Sequence, residues 1–522
     1  MSTAINMALI ASAHAQQRMQ KTSPPQKLRA DKPAHKSNIL FVTSEYAGLV
    51  KVGGLGDVSA ALPQALLEQH DVRILIPGYA QVMNSGHPIT VIDNIDAHAD
   101  LPACKIGRMQ MASGPIIYVV ICPQLYEREG TPYCDTAGQD WADNPIRFAR
   151  LALAAADIAK GRLKMQWYPD LVHANDWPTA LTPAYMAWRN QTTPCVFTIH
   201  NLAHQGLCEP QMAQALGLAP QAFTIDSMEF YGKLSFLKAG IVYAQHITTV
   251  SETYAREITT PQFGCGLEGL LKIKFEQGLL SGIINGIDES WEPTSDPHLV
   301  ESFGARQWER KKINTHYIEK IFNLPHNTNP LFAVVSRLAH QKGVDLTLKV
   351  ADSIVNTGGR LIVMGCGESE LEARLQHLAK RHPRQVGVDT NFNEITARRI
   401  FAGSDFLLMP SRFEPCGLSQ LYAQRCGSLP IARRTGGLAD TIEDGLSGFL
   451  FREPNLESYR GAVERALQVF KRPDLLCAMR CKAMSAPLSW RQSVQPYTRL
   501  YQTLLTAAKQ QLSLRGGTLC TL

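Results

Sequence analysis

Residues 410–420 read Pro-Ser-Arg-Phe-Glu-Pro-Cys-Gly-Leu-Ser-Gln and stand between an apolar run, residues 406–409, and a helix-like segment, residues 421–426. A buried strand followed by a turn and a helix is the repeating unit of a parallel α/β sheet, which binds ligands at the carboxyl ends of its strands. Backbone N–H groups at the start of the helix attract anions such as phosphate. The carboxylate of Glu414 is suited to accept hydrogen bonds from sugar hydroxyls, and a helix cap is the alternative role for it.

On both sides of this stretch, short apolar runs alternate with longer amphipathic segments, which predicts parallel sheets covered by helices. The runs form two blocks of candidate strands. The first block comprises residues 39–43, 72–76, 116–121, 171–174, 196–199, 247–250 and 282–284, and the second comprises residues 331–336, 360–364, 386–388, 406–409, 429–432 and 448–451. Between the blocks, residues 288–329 are rich in Pro, Asp, Asn and Lys and predict a hinge with a helix at residues 306–322. Two doubly wound domains facing one another enclose a cleft.

Composition excludes several classes of protein. A chain of 522 residues, 45% hydrophobic and 19% charged, is long enough for two or three globular domains. Its apolar runs are too short to span a bilayer, so no integral membrane protein is expected. The net charge of +6, from 52 basic and 46 acidic residues, suits a small anionic substrate and does not require nucleic acid. Twelve scattered cysteines without zinc-type spacing indicate reduced thiols in a cytosolic enzyme.

The first 37 residues differ from the rest, because they lack hydrophobic periodicity and carry six basic residues beyond position 17 with one acid, Asp31. We predict a flexible extension there. A secretory signal is disfavoured, since no basic residue precedes the apolar patch at residues 7–10. A plastid transit peptide is the alternative to a cytoplasmic location, and the small number of serines disfavours it.

Three polar clusters follow strands of the first block. Residues 51–58, Lys-Val-Gly-Gly-Leu-Gly-Asp-Val, let a phosphate or sugar approach the backbone, and Lys51 adds positive charge. This turn is neither a Walker loop nor the Gly-x-Gly-x-x-Gly of nicotinamide enzymes, and a structural turn is the alternative interpretation. Asp176 and His200 each follow a strand, so both are expected at the carboxyl edge of the first sheet. A helix cap is the alternative role for Asp176.

The second block has a matching set. Arg337 and Lys342 stand five positions apart after the strand at residues 331–336, where both cations can converge on one diphosphate. A pair of solvated surface charges is the alternative. Polar residues also follow the later strands, at residues 391–394 and 434–440. The second sheet therefore also collects polar side chains at one edge.

Taken together, the motifs resemble those of bacterial glycogen synthases and plant starch synthases. The resemblance extends over residues 38–505, and five ordered motifs carry it: residues 51–58, 198–206, 336–343, 411–418 and 434–440. It implies two Rossmann-like domains facing across a cleft, the GT-B type of α/β fold, with a C-terminal helix that crosses back to the first domain. The implied divisions are an extension at 1–37, a first domain at 38–290, a linker with a helix at 291–329, a second domain at 330–487 and a crossover helix with a tail at 488–522.

The resemblance also implies roles for individual residues. Arg337 and Lys342 would hold the diphosphate of the donor, and Glu414 would bind glucose hydroxyls. His200 and Asp176 would place the reacting glucose, which completes the expected catalytic set. The expected substrate-binding residues are Lys51, Gly53, Gly54, Asn285, Phe392, Cys416, Gly417, Leu418 and Ser419.

The implied reaction is transfer of glucose from ADP-glucose to the non-reducing end of an α-1,4-glucan, with retention of configuration. No metal or other cofactor is expected, because no Asp-x-Asp motif lies at a strand end and preorganised cations can stabilise the leaving diphosphate. One departure bears on the nucleotide: Asn391-Phe392 stands where the bacterial enzymes commonly have Gly-Tyr. The alternatives are a retaining transferase for another nucleotide or acceptor, and a glucan-binding relative without turnover. Neither a nucleic acid nor a membrane is expected as a partner, and the oligomeric state is left open.

Overall fold

The computed structural model describes residues 36–518. The predicted extension at 1–37 lies outside the described residues except for its last two positions, and so do residues 519–522. No helix within residues 36–518 combines the length and the apolar character that crossing a bilayer requires. The eleven cysteines in this part of the chain are all free thiols.

Within the described residues, the first sheet has nine strands in the order β12-β11-β7-β6-β1-β2-β5-β4-β3. Its strands are β1 (Ser37–Val42), β2 (His70–Pro77), β3 (Ile89–Ile95), β4 (Cys104–Gln110), β5 (Ile116–Ile121), β6 (Leu171–Asn175), β7 (Cys195–Ile199), β11 (His246–Thr249) and β12 (Leu280–Gly282). All neighbouring pairs are parallel except β5–β4 and β4–β3, which are antiparallel. A small antiparallel sheet joins β8 (Leu207–Cys208), β10 (Lys233–Ser235) and β9 (Glu229–Phe230).

The second sheet is parallel throughout its six described strands, in the order β15-β14-β13-β16-β17-β18. Its strands are β13 (Leu331–Val335), β14 (Arg360–Met364), β15 (Val386–Asp389), β16 (Phe406–Met409), β17 (Leu429–Arg433) and β18 (Phe449–Phe451). Numbered within this domain, the order is 3-2-1-4-5-6, the Rossmann order, which reverses between its first and fourth strands. The crevice of the second domain therefore lies where β13 and β16 end.

Helices connect these strands. They are α1 (Gly54–Leu66), α2 (Ala80–Met83), α3 (Pro123–Tyr126), α4 (Asn144–Ala159), α5 (Leu181–Trp188), α6 (Met212–Ala215), α7 (Phe236–Tyr243), α8 (Glu252–Glu257), α9 (Glu268–Glu276), α10 (Trp308–Ile321), α11 (Val344–Asn356), α12 (Ser369–Arg381), α13 (Glu394–Gly403), α14 (Ser419–Arg425), α15 (Gly436–Thr441), α16 (Leu456–Phe470), α17 (Pro473–Met484) and α18 (Trp490–Thr518). Short 3₁₀ turns span Trp177–Thr179, Pro220–Ala222, Glu289–Trp291 and His340–Lys342.

The second sheet is buried on both faces. In β13, Phe332 and Val334 belong to the hydrophobic cluster on one face. The alternate residues Leu331, Ala333 and Val335 belong to the cluster on the other face. A strand covered on both sides needs apolar residues at every position, which explains why β13 reads as an uninterrupted apolar run.

The C-terminal helix α18 returns to the first domain, as predicted. Its residues Tyr497 and Tyr501 are buried in the core of the first sheet. The hydroxyl of Tyr501 lies 2.7 Å from Nδ1 of His173 in β6. At the start of this segment, Ser489 forms an isolated parallel bridge with Ile287, which follows the first domain. The predicted α/β fold with two Rossmann-like halves and a crossover helix is confirmed.

Three details of the secondary structure differ from the sequence prediction. The strand expected at 282–284 is β12, two residues earlier, because residues 280–282 are the ones that pair with β11; Ile283 adds one further backbone hydrogen bond, to the Thr249 carbonyl oxygen. Strands β3 and β4 were not predicted; they add an antiparallel edge whose mixed, partly exposed residues lack a clear apolar run. Helix α1 begins at Gly54 and so includes part of the glycine-rich motif, which was expected to precede it.

Candidate active site

Asp176 and His200 lie together at the carboxyl edge of the first sheet, as predicted. Asp176 follows β6 directly and is 9% exposed. Its Oδ1 accepts a hydrogen bond of 3.4 Å from the backbone N–H of His200. Burial raises the pKa of this carboxyl to about 7, although the N–H groups of Asn201, His200 and Trp177 act in the opposite direction. The backbone of Asp176 has φ +58° and ψ 176°, a conformation that costs a non-glycine residue about 1–3 kcal/mol.

The imidazole of His200 is neutral and has a defined tautomer. Burial lowers its pKa to about 3. Its Nε2 lies 3.1 Å from Oδ1 of Asn175, whose amide nitrogen donates to the carbonyl oxygens of Val42 and His173. Because the Asn175 oxygen can only accept, Nε2 of His200 carries the proton. Nδ1 is then the accepting nitrogen and can bind a sugar hydroxyl.

A residue that sequence analysis did not select, Glu45, shapes the glycine-rich turn. Its Oε2 accepts hydrogen bonds from the N–H groups of Val52 (2.7 Å) and Gly53 (2.9 Å). Its Oε1 accepts a hydrogen bond of 2.6 Å from the hydroxyl of Tyr133. The Glu45 carboxylate therefore holds the backbone of the turn in place, while Gly53 and Gly54 stay exposed.

Lys51 is at the rim of this turn, where it pairs with Asp57 at 2.7 Å. Both side chains are about one third exposed. Burial raises the pKa of Asp57, and Lys51 lowers it. The negative charges of Glu394 and Asp288 also raise the pKa of Asp57. Asp288 follows the last strand of the first sheet, and Glu394 begins α13 of the second domain.

The second domain contributes a buried ionic cluster at the point where its strand order reverses. Nζ of Lys342 lies 2.9 and 2.6 Å from the two carboxylate oxygens of Glu414. The hydroxyl of Ser411 donates a third hydrogen bond to Glu414, at 3.0 Å. No side chain caps α14, so the alternative role of Glu414 as a helix cap does not hold. Glu414 is 4% exposed and is held by Lys342 at the base of the crevice.

Arg337 follows β13 and is exposed at the mouth of the same crevice. Its guanidinium reaches Oε1 of Gln341 at 3.5 Å. Burial lowers the pKa of His204, a residue that follows β7 of the first domain, and the positive charge of Arg337 lowers it further. Arg337 therefore stands between the two domains. The structure brings Arg337 and Lys342 to the same strand end, with Lys342 turned toward Glu414.

Cys416 and Asn285 meet across the boundary between the two halves. Burial raises the pKa of the Cys416 thiol to about 12, and the neighbouring backbone and side chain of Asn285 act in the opposite direction. The opposite side of residues 414–416 is covered by Gly436 and Gly437, where a Cβ would collide with the carbonyl oxygens of Glu414 and Cys416. Only glycine permits this approach, which accounts for the paired glycines after β17. The thiol is a buried packing group, not a nucleophile.

The remaining predicted residues lie after strands β1, β15 and β16. A Cβ on Gly54 would lie 3.5 Å from Cδ1 of Leu418, so the glycine-rich turn faces residues 417–419 across the cleft. Gly417 has φ +72°. The hydroxyl of Ser419 donates to the Val335 carbonyl oxygen at 3.3 Å. Phe392, after β15, is 56% exposed.

Tyr422 lies in α14, eight residues after Glu414. Its ring stacks on Trp291 with centroids 3.5 Å apart and an angle of 13° between the planes. Burial raises the pKa of its hydroxyl. Glu414 is therefore the carboxylate that this part of the crevice presents.

Direct hydrogen bonds hold the two halves together beside the cleft, and sequence analysis missed them. The Ser251 hydroxyl donates to the Pro415 carbonyl oxygen at 2.6 Å. Glu257 at the end of α8 accepts from the Thr435 hydroxyl (2.9 Å) and from the Gly436 N–H (3.1 Å). No local pattern could have revealed these pairs, because each joins residues more than 160 positions apart.

Comparison with known proteins agrees with this architecture. The family model described as "Starch synthase catalytic domain" matches residues 38–273, and "Glycosyl transferases group 1" matches residues 318–473. Among solved structures, the catalytic domain of starch synthase IV from Arabidopsis thaliana, bound to ADP and acarbose, superposes with a TM-score of 0.80 at 29% identity and covers 91% of this chain and 100% of that one. A sucrose-phosphate synthase from Thermosynechococcus elongatus shares the fold alone, with a TM-score of 0.56 at 15% identity over 90% of this chain and 100% of its own. The class of protein is therefore a two-domain glycosyltransferase.

The curated relatives narrow this class. Glycogen synthase of Pseudomonas syringae pv. syringae is 62% identical over 471 residues, which is 90% of this chain and 97% of that protein. Glycogen synthase of Pseudomonas aeruginosa is 60% identical over 475 residues, 91% of this chain and 93% of that protein. The chain belongs to the glycogen synthase family, as the sequence motifs predicted.

Proposed function

We propose that this enzyme transfers glucose from ADP-glucose to the non-reducing end of an α-1,4-glucan, with retention of configuration at the anomeric carbon. The observation that carries the proposal is the Lys342–Glu414–Ser411 cluster, which lies at the strand-order reversal of the second sheet. The neighbouring starch synthase structure with ADP and acarbose supports a nucleotide donor and a glucan acceptor. A cytoplasmic location fits the bacterial relatives and the free thiols.

Lys342 and Glu414 have capacity for substrate beyond their own pairing. An ammonium has three donors, and two of them point at the Glu414 oxygens, so the third can reach a phosphate oxygen. The carboxylate of Glu414 has about four lone-pair sites, of which three are used, and the fourth can accept from a glucose hydroxyl. One ion pair thus connects the sugar to its leaving group.

Charge stabilisation in this site comes from cations. As the bond between glucose C1 and the diphosphate oxygen breaks, negative charge builds up on that oxygen, and Lys342 and the forked guanidinium of Arg337 are positioned to balance it. The carboxylates that the site contributes already have partners: Glu414 pairs with Lys342, Asp57 pairs with Lys51, and Glu45 and Asp176 accept from backbone N–H groups. The proposed reaction accordingly proceeds without a metal ion.

Retention follows if the acceptor hydroxyl attacks C1 from the side of the leaving group. The new bond forms between the acceptor oxygen and C1, the bond from C1 to the diphosphate breaks, and the departing phosphate oxygen takes the hydroxyl proton. His200 and Asp176 place the glucose in this scheme. His200 offers Nδ1 as an acceptor, and Asp176, with a pKa near 7, is present both as a carboxylate and as a neutral acid at neutral pH. Neither forms a covalent bond to the sugar.

The experiment is incorporation of labelled glucose from ADP-glucose into glycogen, followed by digestion of the product with β-amylase. New α-1,4 linkages at non-reducing ends release all added label as maltose. Label that resists β-amylase would indicate a different linkage, and incorporation from UDP-glucose alone would support the alternative nucleotide. Glycogen binding without incorporation from either donor would support the non-catalytic alternative.

A further inference from the structure

Far from the cleft, two histidines and a glutamate converge at the amino edge of the second sheet. His316 and Glu319 lie one turn apart on α10, and His326 follows in the loop that leads to β13. One nitrogen from each histidine and one carboxylate oxygen all lie within 4.8 Å of one another. We propose that these three residues bind a late first-row divalent cation, with zinc as the expected ion; they are called the His316–Glu319–His326 cluster.

The two imidazoles stand in an arrangement that a cation explains. Their ring centroids are 3.9 Å apart with an angle of 76° between planes. Nδ1 of His326 lies 2.9 Å from Oε2 of Glu319. Two protonated rings at this distance would repel each other, whereas a divalent cation can bind one nitrogen of each neutral ring together with the carboxylate oxygen.

The carboxylate is already oriented for this role. Glu319 is 2% exposed, and its other oxygen, Oε1, accepts a hydrogen bond from the buried guanidinium of Arg360. Arg360 also donates to the carbonyl oxygens of Pro325 (2.9 Å) and Asn329 (2.6 Å), on either side of His326. An outer partner that fixes a carboxylate ligand and its neighbouring loop is the usual support for a metal site. Oε2 is left facing the two histidines.

The ligand set selects the class of ion. Two imidazoles and one carboxylate suit zinc and its neighbours in the first transition row. Calcium and magnesium need more oxygen ligands than one carboxylate supplies. Both histidines are exposed, so water completes the coordination.

Binding would join the last turn of α10 to the loop ahead of β13. Leu324 already ties this loop down, since its N–H donates to the Glu319 carbonyl oxygen at 2.8 Å and its side chain lies in the core. A cation bound by the folded cluster stabilises the folded state by mass action. The role is structural, and it is separate from the proposed glycosyl transfer because the cleft lies at the opposite edge of the sheet.

The test is titration of the full-length chain, stripped with a chelator, with zinc followed by calorimetry and with cobalt followed by visible absorption. We expect the wild-type chain to bind one equivalent of zinc, and we expect the zinc affinity to fall at least tenfold in His316→Ala and in His326→Ala. The cobalt spectrum should lack thiolate-to-metal charge transfer, and zinc should raise the melting temperature of the wild-type chain but not of either variant. Both histidines are exposed, so the variants fold, and their glucose-transfer rate should match that of the wild-type chain.

Two controls separate this site from other metal ligands on the surface. His377→Ala removes an exposed histidine from α12 and should leave zinc affinity unchanged, and Cys265→Ser/Cys366→Ser removes two exposed thiols and should do the same. Unchanged zinc affinity in both His316→Ala and His326→Ala would overturn the proposal. If the double serine variant no longer bound zinc, the bound zinc would be assigned to the thiols, and this result would also overturn the proposal.

Discussion

Neutralising Lys342 separates the structural and the catalytic roles of its pairing with Glu414. The Glu414 side chain is 5% exposed and that of Lys342 19%, so the pair is largely shielded from water. Removing one partner of a buried pair costs about 3–5 kcal/mol, and the partial exposure of Lys342 reduces the expected loss for Lys342→Met to about 2–3 kcal/mol. Glu414→Gln retains an acceptor for Ser411 and leaves an ammonium that water can reach, so its loss should be about 1–2 kcal/mol.

The double variant Lys342→Met/Glu414→Gln carries neither charge. Its loss of stability should be smaller than the sum of the two single losses, by about 1–2 kcal/mol, because no unpaired charge remains in the crevice. Activity should behave differently. Each single variant should transfer glucose about 10²–10³-fold more slowly, and the double variant should not recover, because the cation for the leaving group and the acceptor for the sugar are both gone.

The assay pairs denaturant unfolding of all four proteins with initial rates of glucose transfer. Lys349→Met removes an exposed lysine from α11 and serves as the matched control, with stability and rate unchanged. Near-normal rates in both single variants would refute a catalytic role for the pair. Recovery of the rate in the double variant would show that the pair serves stability alone.

Three further predictions follow from the site. Burial raises the pKa of Asp176 from 3.8 to about 7, so the folded state holds this proton more tightly than the unfolded state, and the stability it contributes is complete below about pH 4 and is lost as pH rises through 7. Asp176→Asn stays neutral at every pH. As pH rises from 4 to 7, the free energy of unfolding of the variant should therefore increase relative to that of the wild-type chain by up to about 4 kcal/mol. A difference between the two proteins that does not change with pH would contradict the burial argument. Tyr501→Phe deletes the hydroxyl that pairs with His173 and should lower stability by about 1 kcal/mol in thermal unfolding, while an unchanged melting temperature would show that this contact adds nothing. Phe392→Ala should raise KM for the nucleotide donor with little change in kcat, because Phe392 is expected to bind the nucleotide. An effect on kcat alone would instead place Phe392 at the reaction centre.

Much of the fold could be predicted from the sequence because parallel strands that are buried on both faces appear as uninterrupted apolar runs. In β13, β14 and β16, every residue is buried, and the apolar runs match the strands to within one residue. The antiparallel edge strands β3 and β4 contain no such apolar run. β3 contains Asp93 and Asn94, and only its last residue is buried, so its pattern does not differ from that of a loop.

The candidate site was predictable residue by residue, but the pairings within it were not. Lys342 and Glu414 were selected for separate tasks, and their contact joins residues 72 positions apart. Glu45 was not selected, because its partner Tyr133 lies 88 positions away. Strand order and loop length decide such contacts, and a single sequence does not specify where two loops meet in space.

The most direct test of the account is release of ADP by the purified protein supplied with glycogen and ADP-glucose in the presence of EDTA, beside a matched reaction with UDP-glucose. The account predicts ADP release that depends on glycogen, continues with EDTA present, and far exceeds UDP release from UDP-glucose. Release that stops with EDTA and returns with added magnesium would contradict charge stabilisation by Arg337 and Lys342 without a metal. Release from UDP-glucose alone would contradict the proposed donor.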